Sequence, residues 1–321
     1  MIEQSRRNFI LGLSSMATAC VLPKKAAWAA SPPLSPPMDL FYFNRAITPA
    51  TSEIRFGYAA ITWNGNDTQA IRDISEVGFR GIQLRANILK EFNDDSKAVA
   101  QLLQQHKLQF VALSGGGPRG ADYNEAEVVE TQVKQATFLK KAGGMYLQMT
   151  DSARPKDRKP LDDDFKKLGR LLTEVGKRTV DLGVPMAYHN HMGSVGQSPD
   201  EVDALMDAAD ARYVKLLLDV AHYAQGGGDP AKAIKKYRER ILFLHIKDLD
   251  SKSSAGSAAY QFVELGRGRV DLPAVFAALK EINFRGWAIV ELDQVPDKSR
   301  TPRESAIISK KYIEKKIGLK V

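Results

Sequence analysis

Eight short apolar segments alternate with amphipathic segments along most of this chain, and this alternation restricts the possible fold more than any other feature. The apolar segments, too short for helices, predict strands at 55–61, 81–84, 110–113, 145–148, 185–188, 214–218, 241–246 and 288–290. The amphipathic segments predict helices at 68–77, 96–106, 125–142, 163–182, 200–207, 230–237, 272–282 and 303–317. Strands that alternate with helices form right-handed units with parallel strands. Eight such units in about 265 residues match the (β/α)₈ barrel. The sequence therefore predicts an α/β protein with a single-domain TIM barrel over 54–321.

Local signals at the segment ends support these boundaries. Ser198 and Glu201 have the spacing of a capping box at the start of a helix. Gly78 and Gly183 follow predicted helix ends, where a left-handed residue is favoured. The main competing fold, an open doubly wound sheet, usually has a Gly-rich phosphate loop after its first strand, and the segment 58–65 does not supply one.

The first 30 residues have the pattern of a twin-arginine signal peptide. Arg6 and Arg7 precede an apolar run, and the segment 27–29 (Ala-Trp-Ala) is a small-residue cleavage site. We therefore expect the twin-arginine export machinery as a partner and a periplasmic or secreted protein. A Pro-rich linker is predicted over 31–53. The single cysteine, Cys20, lies within the signal, so the mature chain has no disulfide and no thiolate ligand.

The charge of the chain gives little support for nucleic-acid binding. The net charge is +8, but four basic residues against Glu3 in the first 30 positions contribute +3, so +5 remains after their removal. The other lysines are scattered over predicted helix faces or gathered near the C-terminus, which is typical of solvated surfaces. After the signal, the sequence has no apolar run of the ~20 residues that a membrane span requires.

Metal-competent side chains follow four consecutive predicted strands in the C-terminal half. His189, with His191 two residues further on, follows the fifth strand, and Asp219, His245 and Glu291 mark the ends of the next three. Functional groups of such barrels lie at the carboxyl ends of the strands, and neighbouring strands are about 4.8 Å apart. Each residue could instead be satisfied separately, by a helix cap, a hydrogen bond or a salt bridge. Burying two carboxylates without a cation would be costly, however. We therefore predict one divalent-metal site formed by His189, Asp219, His245 and Glu291, with His191 as the alternative fourth ligand.

Five motifs, taken in chain order, resemble those of a known superfamily. They are Tyr188-His189-Asn190-His191-Met192-Gly193, Leu217-Leu218-Asp219-Val220-Ala221-His222, Leu244-His245-Ile246-Lys247-Asp248, Gly266-Arg267-Gly268-Arg269-Val270-Asp271 and Gly286-Trp287-Ala288-Ile289-Val290-Glu291. This set resembles the xylose-isomerase-like barrel superfamily of sugar isomerases, epimerases and inosose dehydratases. The resemblance runs from about Phe56 to Ile317.

The resemblance implies a metal ion and a small-molecule substrate. The ion would be Mn²⁺, Co²⁺, Mg²⁺ or Zn²⁺, held by Asp219, His245 and Glu291. Lys247 and Asp248 would line the same pocket, and the substrate would be a sugar or a cyclitol.

One position departs from the pattern of the superfamily. Many epimerases of this type carry a Glu after the fifth strand, where this chain has His189. Epimerisation with two bases needs a carboxylate on each face of the substrate carbon, and here only Glu291 is in place. The ligand set also carries two negative charges instead of three, which makes a bound metal a stronger Lewis acid. The departure favours one-base chemistry.

The chemistry favoured by these residues is metal-assisted enolisation of a keto-sugar or keto-cyclitol, with loss of a β-hydroxyl giving dehydration. A neutral histidine is suited to proton transfer near pH 7, so His191 and His222 are candidate catalytic groups. Glu291 would serve as ligand and base. Lys247 could stabilise a developing oxyanion.

Three side chains have two interpretations each. Trp63 could pack on a sugar face or fill the core. Arg267 could bind substrate or fix its own loop. Lys247 could instead form a salt bridge to Asp248 or Asp219.

Other functions remain as alternatives. A sugar isomerase or epimerase of the same superfamily would use the same metal site. A non-catalytic sugar-binding barrel would be favoured if His245 and Glu291 pointed apart. A nuclease with a three-zinc cluster would need roughly twice as many ligands as the predicted pocket offers.

Overall fold

The computed structural model describes residues 53–251 and 260–321, and these form a closed barrel of parallel strands. Within these described residues, ten strands occur in chain order: β1 (Glu53–Ala59), β2 (Gly81–Arg85), β3 (Gln109–Ser114), β4 (Tyr146–Met149), β5 (Met186–His189), β6 (Val214–Asp219), β7 (Ile241–Ile246), β8 (Asp248–Ser251), β9 (Tyr260–Val263) and β10 (Arg285–Val290). Strands β1 to β7 and β10 follow one another around the barrel, and β10 pairs with β1 to close it. The predicted (β/α)₈ barrel is confirmed.

Helices connect the strands of the barrel. They are α1 (Asp67–Val77), α2 (Asn87–Glu91), α3 (Ser96–Gln105), α4 (Glu125–Lys141), α5 (Asp162–Asp181), α6 (Pro199–Ala208), α7 (Val220–Gln225), α8 (Pro230–Lys236), α9 (Leu272–Glu281) and α10 (Pro302–Tyr312), which continues into a π-helical turn at Ile313–Ile317. The capping box of Ser198 and Glu201 is present at the start of α6. Gly78 ends α1 with φ 106°, in the left-handed region that favours glycine.

The structure differs from the sequence prediction in three places. Residues 60 and 61, predicted as the end of the first strand, belong to a 3₁₀ turn at Ala60–Trp63. The short helices α2 and α7 were not predicted, because five or six residues contain too little periodicity to reveal a helix. The antiparallel hairpin of β8 and β9 lies outside the barrel, in the connection that follows β7.

An apolar layer inside the barrel supports the polar residues at the strand ends. Side chains two residues apart in a strand point to the same side. The residues two positions before the predicted metal ligands are Ala187, Leu217, Phe243 and Ile289, and all four belong to one buried apolar cluster. Trp287 belongs to this cluster, and a Cβ at Gly81 would collide with its ring. The strand-end site therefore rests on a packed apolar floor.

Two further findings concern the predictions for membranes and for the N-terminus. Within 53–251 and 260–321, no helix is both long enough and apolar enough to cross a membrane. The signal peptide over 1–30, with Cys20, lies outside the described residues, as does all but the last residue of the linker over 31–53. Both stay predictions.

Candidate metal centre

The ends of β5, β6, β7 and β10 bring four predicted side chains together. His189, Asp219, His245 and Glu291 each offer one ligand atom, and these atoms lie within 4.8 Å of one another. All four residues are buried. Of the two candidates after β5, it is His189 and not His191 that belongs to this cluster.

Strand register and a helix start explain the position of Asp219. Asp219 pairs with His245 across β6 and β7, so their side chains lie next to each other. Its Oδ1 accepts the backbone N–H groups of Ala221 and His222, both at 2.9 Å, and so caps α7. Its Oδ2 is directed to the cluster, 3.4 Å from His189 Nε2 and 3.5 Å from His245 Nδ1. Helix capping and a place in the cluster are therefore compatible.

The donor set of the cluster fits a divalent cation. Nδ1 of His245 is buried without a hydrogen-bond partner, although it lies 3.4 Å from Glu291 Oε1 and 3.5 Å from Asp219 Oδ2. A nitrogen and two carboxylate oxygens that converge without bonding to one another provide the hard and borderline ligands that Mn²⁺, Co²⁺, Mg²⁺ and Zn²⁺ accept. The residues present fit the metal that the sequence predicts.

Burial and the two carboxylates set the proton affinities of the imidazoles. Burial acts to lower the pKa of His245, but Glu291 and Asp219 outweigh it and raise that pKa to about 9. Burial lowers the pKa of His189 to about 4, against the opposite effect of Asp219. Burial would raise the pKa of Glu291, yet His245 and Lys247 hold it well below its ordinary value. Without metal, His245 therefore carries a proton at pH 7 and His189 is neutral.

Lys247 lies beneath the carboxylates. It is fully buried, with Nζ 3.0 Å from Glu291 Oε1, 2.6 Å from Asp293 Oδ1 and 3.9 Å from Asp219 Oδ2. Burial acts to lower the pKa of Lys247, but the carboxylates outweigh burial and raise it above its ordinary value, with Glu291 having the largest effect. Lys247 therefore stays charged. When His245 is neutral, as a metal ligand must be, one ammonium against three carboxylates leaves two negative charges, which a divalent ion would balance.

Asp248 lies next to Lys247 in the chain but serves a different part of the fold. Its carboxylate accepts backbone N–H groups from Leu249, Gly266, Gly268 and Val270 at 2.9 to 3.1 Å. The alternative of a Lys247–Asp248 salt bridge is wrong, and Asp248 does not line the pocket as the resemblance implied. It fixes the loop that follows β9.

His191 and His222, the two histidines predicted as catalytic groups, differ in their access to the site. His191 lies in the cavity wall, and its Nδ1 donates to the carbonyl of Met192 at 2.6 Å, so its Nε2 is an unprotonated acceptor in the neutral ring. His222 is buried behind it, with ring centroids 3.8 Å apart. Nδ1 of His222 accepts the backbone N–H of Met192, and burial holds the pKa of His222 well below its usual value.

A cavity of about 140 Å³ opens above the cluster. It is lined by Ala59, Ile61, Gln83, Arg85, Ser114, Gln148, Thr150, His189, His191, Glu291 and Asp293. This volume is below that of pockets for drug-sized ligands. Sequence reasoning missed Gln148 and Asp293 as site residues. The position of each in the sequence could have indicated it, since Gln148 is near the end of β4 and Asp293 lies two residues after Glu291, just beyond β10.

The two residues predicted to contact substrate lie elsewhere. Trp63 is buried in the main core, packs edge-on against Tyr58 and donates its indole N–H to Asp73 at 2.7 Å. Arg267 is half exposed and lies 3.7 Å from Glu264 in its own loop. Neither belongs to the cavity wall. The positions favour the second interpretation for both, core filling for Trp63 and loop fixation for Arg267.

The fold and the site together define a class of protein, the (β/α)₈ barrels with a histidine–carboxylate cluster at the carboxyl ends of the strands. The family model for the xylose isomerase-like TIM barrel matches residues 71–312. The chain belongs to this family.

Three relatives illustrate the similarity. Inosose dehydratase from Lacticaseibacillus casei is 27% identical over 294 residues, which cover 81% of this chain and 96% of that protein. Inosose dehydratase from Clostridium beijerinckii is 28% identical over 301 residues, covering 84% and 99%. Among solved structures, the IolI protein with a binding zinc atom superposes with a TM-score of 0.67 at 21% identity, covering 81% of this chain and 96% of that one.

Proposed function

We propose that the protein is a divalent-metal-dependent lyase that dehydrates a keto-cyclitol or keto-sugar. The observation that carries this proposal is the position of His191, which lies in the same cavity wall as two residues of the metal-competent cluster, His189 and Glu291, and whose Nδ1 is already bonded to Met192. The inosose dehydratase relatives, at 27% and 28% identity over most of their length, support the substrate class.

Asp219, His245 and Glu291 would hold the metal, with His189 in contact with Asp219. A divalent ion in such a site supplies Lewis-acid polarisation of a carbonyl group. Lys247 fixes the Glu291 carboxylate and keeps it ionised. Arg85 and Asp293 lie in the cavity wall, where they can bind substrate hydroxyl groups.

His191 is the base that the geometry favours. Its Nδ1–H is committed to the carbonyl of Met192, so the proton that it takes up goes to Nε2. Glu291 is a weaker base near pH 7, because its pKa lies well below its ordinary value. His191 removes the proton α to the carbonyl and returns it to the β-hydroxyl group, which leaves as water. The products are an unsaturated ketone and one water, so atoms and protons balance.

The positions of the carboxylates argue against epimerisation with two bases. The carboxylates in the cavity wall are Glu291 and Asp293, which lie two residues apart directly after β10. Both leave the barrel from the same strand, which favours approach to a substrate carbon from one side. Isomerisation within the same superfamily stays the alternative, since reprotonation at another carbon needs no second carboxylate.

Metal analysis followed by turnover in deuterated water tests the proposal. The purified protein is assayed for Mn, Co and Zn, then incubated with keto-inositols and keto-sugars, with and without a chelator. We expect metal-dependent exchange at the α-carbon and a product lighter by one water. A product of unchanged mass would indicate an isomerase. Binding without exchange would indicate a non-catalytic sugar-binding barrel, and exchange that survives the chelator would refute the mechanism.

We further propose that the protein works outside the cytoplasm. The support is the sequence pattern of the first 30 residues, with Arg6 and Arg7 before an apolar run. In cell fractionation, the wild-type chain should be found outside the cytoplasm, and replacement of both arginines by lysine should retain it inside. If the wild-type chain and the variant were distributed in the same way between the cell fractions, export by the twin-arginine route would be contradicted.

A further inference from the structure

Two buried glutamines connect the two imidazoles of the cluster by a continuous chain of hydrogen bonds. His245 Nε2 lies 2.9 Å from Gln83 Oε1, Gln83 Nε2 donates to Gln148 Oε1 at 2.7 Å, and Gln148 Nε2 lies 2.9 Å from His189 Nδ1. The four side chains come from β7, β2, β4 and β5 and are at most 3% exposed, so water does not compete for these bonds. We call this series of hydrogen bonds the amide relay.

The amide relay has one direction. An amide offers a carbonyl that only accepts and an NH₂ that only donates. If the imidazole at one end donates to the relay, the imidazole at the other end must therefore accept from it. In the structure His245 donates and His189 accepts.

This direction makes the two imidazoles different on the side that faces the cluster. A neutral imidazole has one N–H. His245 uses it on Gln83, so once a metal displaces the proton that the carboxylates hold on Nδ1, this nitrogen offers a lone pair to the cluster. His189 accepts at Nδ1, so its single N–H is on Nε2 and points to Asp219 Oδ2, 3.4 Å away. The first arrangement suits a metal ligand, and the second suits a hydrogen-bond donor.

We propose that Gln83 and Gln148 act as positioning residues that make His245 a metal ligand and keep His189 a hydrogen-bond donor, so that protein ligation comes from His245, Asp219 and Glu291 alone. This inference deepens the proposed function and rests on the metal site described there. His189 also lines the cavity, so its Nε2–H can donate to a substrate oxygen as well as to Asp219.

Ligation by both imidazoles would break the amide relay. Each histidine would then have to donate its outer N–H, and both glutamines would turn their oxygens towards the histidines. The two NH₂ groups would face each other where the structure has a hydrogen bond of 2.7 Å. Buried donors without acceptors are strongly disfavoured. The relay thus permits one imidazole ligand at a time.

X-ray absorption of the zinc-loaded, full-length protein tests the proposal directly, because it counts imidazole ligands. One imidazole supports the proposal, and two overturn it. Zinc affinity is a second readout. The variant His189→Ala should weaken zinc binding by about 10- to 100-fold, the usual cost of losing a partner of a ligand, whereas His245→Ala, which removes a ligand, should weaken it by more than about 100-fold. Equal losses in the two variants would overturn the assignment.

A carboxylate in the relay should abolish its direction, because a carboxylate accepts at both ends. In Gln148→Glu, Gln83 and His189 can both donate to the new side chain, and Nε2 of His189 becomes free to bind metal. We expect the absorption spectrum of this variant to show two imidazoles. Ser114→Asp is the matched control, since it adds the same charge to the same cavity wall outside the relay. The proposal would be overturned if the metal in Ser114→Asp had two imidazole ligands, or if the metal in Gln148→Glu still had one.

A measurement on the metal-free protein separates failure of this proposal from failure of the proposed function. Nitrogen NMR of histidine-labelled, full-length protein distinguishes a protonated from a bare ring nitrogen. We expect His189 to carry its proton on Nε2. A proton on Nδ1 would overturn the relay even if the protein binds metal and dehydrates its substrate, and a proton on Nε2 would support the relay even if it does neither.

Discussion

Replacement of Lys247 by methionine tests the electrostatic structure of the site most sharply. Lys247 is fully buried, and its Nζ lies 3.0 Å from Glu291 and 2.6 Å from Asp293. At an effective dielectric constant of about 20, each of these contacts is worth roughly 5 to 7 kcal/mol before desolvation. Loss of hydration by the buried ions offsets several kcal/mol of this attraction. Removing the ammonium alone leaves the carboxylates uncompensated, which costs about 3 to 5 kcal/mol for a buried pair.

We therefore expect Lys247→Met to lower the free energy of unfolding by about 3 to 5 kcal/mol in a chelating buffer. Saturating Mn²⁺ or Zn²⁺ should restore part of this loss, because the ion supplies positive charge to the same carboxylates. Equilibrium unfolding in urea, with and without metal, measures both quantities.

The control for this experiment is Lys134→Met. Lys134 forms a salt bridge with Asp94 in which both side chains are more than half exposed, and such pairs contribute at most about 1 kcal/mol. A loss below about 1 kcal/mol for Lys247→Met in the chelating buffer would refute the reasoning, because the buried ammonium would then contribute no more than an exposed one.

Three further predictions concern catalysis and metal binding. His191→Gln should lower kcat by about 10² to 10⁴-fold, the usual contribution of a general base, with metal content unchanged. The control is His106→Gln, which should leave kcat unchanged because His106 directly follows α3 and is not among the residues of the cavity wall. An unchanged kcat for His191→Gln would contradict the role of His191. Returning metal at 100 times its Kd to the chelated protein should raise the free energy of unfolding by about 2.7 kcal/mol. The same metal concentration added to His245→Ala should raise the free energy of unfolding by less than about 0.4 kcal/mol, and a shift of equal size would place the metal elsewhere. The apparent metal affinity should rise about tenfold per pH unit from pH 7 towards the pKa of His245 at about 9, because the metal displaces the proton of His245. Calorimetric titrations in which the affinity does not change with pH would contradict this coupling.

The barrel could be predicted from the sequence because its determinants are local. The period of two in the strands and the period of 3.6 in the helices specify which face of each element is buried. Alternation of the two kinds of element then requires parallel strands with helical crossovers. The elements that were missed, such as α2 and α7, are too short for either period to be detected.

The four-residue cluster was also predictable, because it follows from strand ends. Residues at the carboxyl ends of neighbouring parallel strands must lie close together, whatever their side chains. Asp219, His245 and Glu291 are placed by this rule alone. Whether they bind a metal, and which one, stays a prediction for the experiments above.

Other features of the site depend on the direction in which each side chain points. The sequence did not determine these directions. Lys247 could have paired with Asp248, its neighbour in the chain, but the structure turns it to Glu291 and Asp293 and gives Asp248 four backbone donors instead. Trp63 could have faced a sugar, and it fills the core.

The sequence by itself determined the kind of fold and the residues that meet at its catalytic end, because both follow from spacing along the chain. Only the tertiary structure decided how the donors and acceptors of that site are paired. The contact between Gln83 and His245 joins residues 162 positions apart, across the barrel. No local pattern encodes such a contact, since its geometry depends on strand register and on the packing of the whole barrel interior.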